Sequence, residues 1–297
     1  MKALDRLQAI ETFVRVMDTG SFSAAARIQN IGQPAVSKAI AQLEDWLGVR
    51  LLLRSTRGLA PTEAGMSFYE RARRTIEEAD EAVLAARGTA AGLSGRVRVS
   101  AAVCFARLHI VPKLPAFLET HPNVEVELLL EDRNVDLVAE GVDVALRMGP
   151  LTDPNMTIRK IAERRRLVIA TPEYFERNGK PETPGELIGH QAVIYTRDNG
   201  GEDFTFTRNT EQTSIGLSGR VRISATEGLR AAVFAGVGLT VASEFAFSPE
   251  LKTGEVITAL DDWTLPPISL SAVYPTGRMA STKARAFVSF VEECLKN

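Results

Sequence analysis

Gln33-Pro34-Ala35-Val36-Ser37-Lys38-Ala39-Ile40-Ala41-Gln42-Leu43-Glu44-Asp45-Trp46-Leu47 is the stretch on which the reading of this 297-residue chain turns. Val36, Ile40, Leu43 and Leu47 recur at four- and three-residue spacing, one apolar helical stripe that must face a core. Pro34 falls in the first turn, where a missing N–H costs nothing, and Gly48 follows the last apolar position. The opposite face carries Gln33, Ser37, Lys38 and Ala41. Short or polar groups at the N-terminal end of an exposed helix are what a recognition helix offers to base edges. Gln can bond adenine in pairs, Ser can reach a base or a phosphate, and Lys38 suits a phosphate.

Two shorter helices precede this one. Leu7, Ile10, Val14 and Met17 hold helical spacing, with Asp5 as N-cap and Gly20 as stop. A second helix begins at Ser21 or Ser23 and carries Ala24-Ala25-Ala26, small enough for a neighbouring helix to approach. Asn30-Ile31-Gly32 makes the turn into Gln33. After Gly48, Val49–Arg54 reads as a strand, Ser55-Thr56-Arg57-Gly58 as a turn and Leu59-Ala60-Pro61 as the return. This hairpin is a wing with Arg54 and Arg57 near its tip, placed to meet the DNA backbone or minor groove. Residues 1–60 hold eight basic and five acidic side chains, so this segment carries +3 and the remainder −5 of a net −2. A basic footprint is therefore local. The bland alternative is a helical bundle with a solvated charged face.

Taken together, Ser21-Phe22-Ser23-Ala24-Ala25-Ala26, Gln33 through Ile40, Leu43-Glu44, Leu47-Gly48, Leu51-Leu52-Leu53-Arg54 and Pro61-Thr62-Glu63-Ala64-Gly65 resemble the LysR-type transcriptional regulators in order and spacing. Two positions depart from the pattern: Leu52 stands where a wing phenylalanine is usual, and Gly32 where serine usually caps the recognition helix. The second weakens that cap by a few tenths, roughly, of a kcal/mol. The expected fold is a mainly-α winged helix-turn-helix domain with a long linker helix, followed by a two-lobed α/β effector domain like that of periplasmic binding proteins. The expected contacts to double-stranded DNA are Ser23, Gln33, Pro34, Ser37, Lys38, Arg54 and Arg57.

From Thr62 the pattern becomes strongly helical. Gly65, Tyr69, Ala72, Ile76, Ala79, Val83 and Ala86 form a seam of three heptads flanked by charges. A homodimer on a two-fold related DNA site is expected, with packing on the chain's own C-terminal domain as the alternative. The resemblance implies a further step to a homotetramer and contact with RNA polymerase. Thr89–Gly95 is small and glycine-containing, a hinge. The expected division is 1–61 reader, 62–88 linker helix, 89–95 hinge and 96–297 effector domain.

The effector domain carries an internal repeat. Leu93-Ser94-Gly95-Arg96-Val97-Arg98-Val99-Ser100-Ala101 recurs as Leu217-Ser218-Gly219-Arg220-Val221-Arg222-Ile223-Ser224-Ala225. Each copy reads as a strand feeding a helix, Cys104–Leu118 in one case and Glu227–Ala235 in the other. Further strands are expected at Val124–Leu130, Val142–Arg147, Arg166–Ala170, Ala192–Tyr195, Gly238–Ala242 and Ile268–Tyr274, with helices at Asp132–Glu140 and Thr282–Lys296. The resemblance implies lobe one at about 96–162 plus 266–297 and lobe two at about 163–265. Ligands in such folds sit at strand carboxyl ends, near helix N-termini. That rule selects Ser100, Ala101, Ala102, Arg147, Gly149, Tyr195, Thr226 and Glu227. Arg147 and a helix N-terminus favour an effector with an anionic group. Glu227 opposes that, and either pairs with Arg147 or meets an amine.

Other classes find little support. Gly236-Val237-Gly238 lacks a third glycine and precedes a strand, His109, His121 and His190 have no metal spacing, and no Gly-x-Ser-x-Gly is present. Neither an enzyme nor a cofactor is expected. Glu131 and Asp132 read as a helix cap rather than an acid/base pair. Cys104 leaves a redox-responsive regulator open, as does a regulator with no small ligand. Two cysteines, no apolar leader in MKALDRLQAI and no apolar run of membrane length suggest a cytoplasmic protein without a membrane partner.

Overall fold

The computed structural model describes residues 5–55, 58–87, 93–151, 156–196, 203–275 and 280–296, and divides the chain into units 1–92 and 93–297. Among the described residues no helix is long and apolar enough to cross a membrane.

In the first unit, α1 (Arg6–Thr19) is capped by Asp5, whose side chain accepts the Gln8 N–H at 3.2 Å, and Gly20 ends it in the left-handed conformation. α2 (Phe22–Ile28) takes Ser21 as cap, resolving the choice between Ser21 and Ser23. α3 (Gln33–Leu47) begins without a side-chain cap at Gly32, as the departure from serine implied. Val36, Ile40 and Leu43 are buried with Phe13, Val16 and Ala25, and Leu47 packs at the edge of that core. β1 (Leu52–Ser55) and β2 (Gly58–Pro61) pair antiparallel. α4 (Glu63–Arg87) follows.

The expected seam of α4 is not one continuous partner-facing face. Gly65 lies against the backbone of Leu51, Tyr69 bonds Asp18, and Ala72 is buried in the reader's core. The first turns of α4 therefore pack on their own domain. Ile76 and Ala79 are half-buried, Val83 is exposed, and the side chain of Ala86 lies outside the described set.

The second unit has two lobes. In lobe one, β3 (Ser94–Ala101) leads into α5 (Val103–Phe105), a π turn at Ala106–Ile110, a 3-10 turn at Val111–Lys113 and α6 (Leu114–Thr120). With β4 (Asn123–Leu130), β5 (Val144–Met148), β6 (Thr157–Arg164) and the later β14 (Ile268–Tyr274), β3 forms a five-stranded sheet ordered β4-β3-β5-β14-β6. β3, β4 and β5 run parallel, β14 runs against them, and β6, antiparallel to β14, runs with the first three. α10 (Thr282–Cys294) covers this sheet through Phe287, Val288 and Val291.

Lobe two begins with β7 (Arg166–Ala170) and α7 (Pro172–Asn178), then β8 (Val193–Tyr195) and the hairpin β9 (Asp203–Arg208) and β10 (Glu211–Gly216). β11 (Val221–Ile223) leads into α8 (Thr226–Phe234), followed by β12 (Thr240–Ser243), α9 (Glu244–Thr253) and β13 (Ile257–Ala259). β11 pairs parallel with β8, and β7 lies between β12 and β13 in antiparallel pairing.

The helix expected at Asp132–Glu140 does not form; the segment is a series of turns. Asp136 accepts the N–H groups of Val138 and Ala139 at 2.9 and 3.0 Å, a local bond that competes with helix. Asp132 is engaged elsewhere, as described below, and so short a run cannot nucleate unaided. β6, β9, β10 and β13 and helices α7 and α9 lie outside the elements expected from the sequence.

Candidate functional site

The first site is the exposed face of α3. Gln33, Pro34 and Lys38 are exposed and Ser37 half-buried, because the buried stripe at Val36, Ile40 and Leu43 fixes the helix's rotation. Ser23 is exposed on α2, its Oγ 2.9 Å from that of Ser21. Arg54 lies on β1 opposite Leu59, with its side chain outside the described set, and Arg57 lies outside the described residues.

One residue that pattern reasoning passed over joins helix to wing. Glu44 is 6% exposed, and its carboxylate accepts the N–H groups of Leu51 (2.7 Å) and Leu52 (3.0 Å) and the Arg50 guanidinium (2.7 Å). It thus anchors the root of β1 to α3. Burial by itself would raise the Glu44 carboxyl, but the bonds from Leu52, Arg50 and Leu51 outweigh burial and hold it below the usual range. A depressed folded value stabilises the reader above the unfolded value of about 4.3, and that stability is lost as pH falls through the folded value. Glu44→Gln should therefore cost the reader about 1–3 kcal/mol at pH 7 and flatten its loss of stability between about pH 5 and 3. Urea unfolding at both pH values checks this; a variant whose acid profile overlays the wild type would exclude Glu44 as its source.

The second site is a cavity of about 400 Å³ between the lobes. Of the eight residues selected from the sequence, Ala102, Arg147, Gly149, Tyr195 and Thr226 line it. Ser100 and Ala101 are fully buried in β3 behind it. Glu227 does not line it and does not pair with Arg147. Its carboxylate takes Arg107 at 2.8 and 3.2 Å, with Arg230 at 3.9 Å. Burial pushes the Glu227 carboxyl up, and the Arg107 bond and charge overcome this to leave it lowered. Thr226 stays at the cavity wall because it precedes Glu227 by one position at the helix start.

The cavity's lining includes Asp132, Asn134, Arg166 and Phe204, none of which was anticipated as a ligand contact. Arg166 opens β7, and a rule based on strand ends overlooks strand starts. β7 is antiparallel to β12, with Arg166 opposite Ser243, so the start of one lies beside the end of the other. Asp132 follows β4, whose Leu130 is level with Ala101, so its position at a strand carboxyl end was a usable signal.

Cys104 is buried and joins the apolar cluster of lobe two with Val233 and Phe247. Burial, reinforced by the Glu227 charge, pushes its thiol up to about 12. Cys104 also lines the cavity, and a thiol raised in this way favours its reading as a small buried hydrophobe over that of a reactive sensor. Among the described residues no cluster of His, Cys, Asp and Glu could hold a metal ion.

Residues 7–66 match the family described as bacterial regulatory helix-turn-helix protein, lysR family, and residues 90–295 match the LysR substrate binding domain. An HTH-type transcriptional regulator of Haemophilus influenzae is 33% identical over 275 residues, 93% of this chain and 96% of that one. Among solved structures, CrgA of Neisseria meningitidis, a LysR-type transcriptional regulator, aligns with TM-score 0.63 and 30% identity, covering 98% of this chain and 99% of that one. The full-length Vibrio cholerae virulence activator AphB aligns with TM-score 0.57 and 28% identity, over 96% and 98% of the two chains.

Proposed function

The chain belongs to the LysR family of bacterial helix-turn-helix transcriptional regulators, and on that premise we propose that it reads a two-fold related DNA site with α3 and the wing and adjusts that reading through an effector held between its lobes. It is a DNA-binding regulator with an effector-binding domain, not an enzyme. Gln33 and Ser37 meet base edges, while Lys38, Ser23, Arg54 and Arg57 meet backbone or minor groove. The protein works in the cytoplasm as a homodimer joined by the later part of α4, beyond Ala72, and pairs further into a tetramer that can touch RNA polymerase.

The observation that carries the effector reading is the cavity with Arg147 and Arg166 in its wall and Met148, Phe204 and Ile268 beside them. Guanidinium groups beside apolar walls suit a small molecule with an anionic group and an apolar body. A thermal-shift screen of small carboxylic acids against the purified protein is the test, read together with binding to operator DNA. Acids that bind should raise the melting temperature of the wild type and of Lys38→Ala alike, and fail with Arg147→Ala. Operator affinity should fall in Lys38→Ala, with a salt slope reduced by about 1, and persist in Arg147→Ala. Stabilisation that survives Arg147→Ala would place the ligand elsewhere.

A further inference from the structure

Asp132 bonds to both lobes at once. Its Oδ1 accepts the Val103 N–H at 3.1 Å and its Oδ2 the Thr226 N–H at 2.9 Å. Val103 opens the helical stretch that runs on to Thr120 in lobe one, and Thr226 opens α8 in lobe two. The residues at the two cap positions, Ala102 and Ala225, make no side-chain cap bond. Alanine has nothing to cap with, so the only side-chain cap at either end, among the described residues, comes from a carboxylate remote in sequence. Each copy of the Gly-Arg-Val-Arg repeat runs into one of these two helix starts. Beside Asp132, Arg107, one turn further along the first stretch, pairs with Glu227 in the first turn of α8.

We infer that Asp132 is a tethered ligand. Its carboxylate takes the place that the acid group of a bound molecule would take between two helix N-termini, and it holds the lobes together without an effector. It also excludes outside acids from that position, which leaves any anionic effector to the arginines of the cavity. This last consequence rests on the effector reading above; the tethered-ligand role of Asp132 does not.

The test removes the tether and supplies its head group in solution. The melting temperature of the full-length protein is measured in sodium acetate and in sodium chloride of equal ionic strength. Acetate should stabilise the wild type less than it stabilises Asp132→Ala, any gain in the wild type coming from the cavity arginines. Asp132→Ala should melt lower in chloride and recover in acetate, because acetate fits the vacated niche and reaches both amides. Amide exchange at Val103 and Thr226 should rise about tenfold or more in this variant and fall again with acetate, the effect of losing and regaining charge-assisted bonds. Asp132→Asn should also melt lower, since its amide group sets a donor against a donor, and acetate should not rescue it because the niche stays filled. If Asp132→Ala is insoluble in chloride, refolding in acetate makes the same comparison, and failure to refold there counts against the inference. Acetate that leaves Asp132→Ala unmoved, or stabilises wild type equally, overturns it. Rescue that persists with Arg147→Ala added separates this result from any failure of the effector reading.

Discussion

Gly219→Ala should unfold lobe two, whereas Gly95→Ala, the same change at the same place in the repeat, should be tolerated. A Cβ at Gly219 would lie 1.7 Å from the carbonyl oxygen of Ala192, 2.7 Å from its carbon and 3.2 Å from its nitrogen. All three are backbone atoms, so no side chain can move aside. Ala192 is itself held on the other side, where Gly238 lies so close that a Cβ would come within 2.4 Å of the Gln191 oxygen. Relief would require parting β8 from its neighbours, and a loss of more than about 3 kcal/mol is expected, in the range of severe overpacking. Gly95 is different. Its φ is +88°, and the Lys283 Nζ at 3.5 Å is the one described atom within 4 Å of an added Cβ. Alanine there carries only left-handed backbone strain, about 1 kcal/mol. The two tryptophans separate the domains: Trp46 reports the reader and Trp263, buried in the lobe-two core, reports that lobe. Denaturant unfolding followed at Trp263 should show the transition displaced or absent for Gly219→Ala and slightly shifted for Gly95→Ala. Equal losses at the two positions would show that the Ala192 contact is not the cause.

Gly65→Ala is the second change of large effect, and it acts on the reader alone. The added Cβ would sit 2.0 Å from the Leu51 oxygen and 3.0 Å from its carbonyl carbon. That oxygen already accepts the Thr62 N–H at 2.9 Å, and the Leu51 N–H is held by Glu44. The Leu51 peptide is fixed from both sides and cannot yield, and its side chain is fully buried. The substitution should force α4 away from the wing and cost more than about 3 kcal/mol. Loss of the Trp46 transition and of operator binding is expected, with the Trp263 transition unchanged. Retained operator affinity would mean that α4 can shift without disturbing the wing, and the close approach would then not be a requirement.

Gly65 also shows where pattern and packing part company. It begins a regular heptad seam, and the regularity is real, but a seam records only that a face is apolar or small. It does not say which surface covers that face. The reader's own α1 and wing cover the positions through Ala72, so only the later turns are open to a partner. Glu44 is similar. Its place in a family pattern was legible, but its role as an anchor for the wing depends on Leu51 and Leu52 returning to it from the following hairpin. Among the cavity residues, Ala102, Arg147, Gly149, Tyr195 and Thr226 could be picked out because strand ends and helix starts are visible in sequence. Arg166 could not be assigned in the same way, since an antiparallel neighbour decides its place; Asp132 stands at a legible strand end, but its two partners are helix starts from different lobes that only the fold brings to it.

The sequence by itself determined the helices of the reader, the cap at Asp5, the span of α3 and the strands at Ser94–Ala101, Arg166–Ala170 and Ile268–Tyr274. These follow from periodicity, capping and turn chemistry, which act over a few residues. Tertiary structure alone decided that Glu227 serves Arg107 and not Arg147, that Asp132 caps two helices and begins none, and that of two equivalent glycines in one repeat only Gly219 is pressed against backbone. In each case the partner is a group brought near by the fold, and hydrogen bonds and steric contact act over a few ångströms of space whatever the separation along the chain.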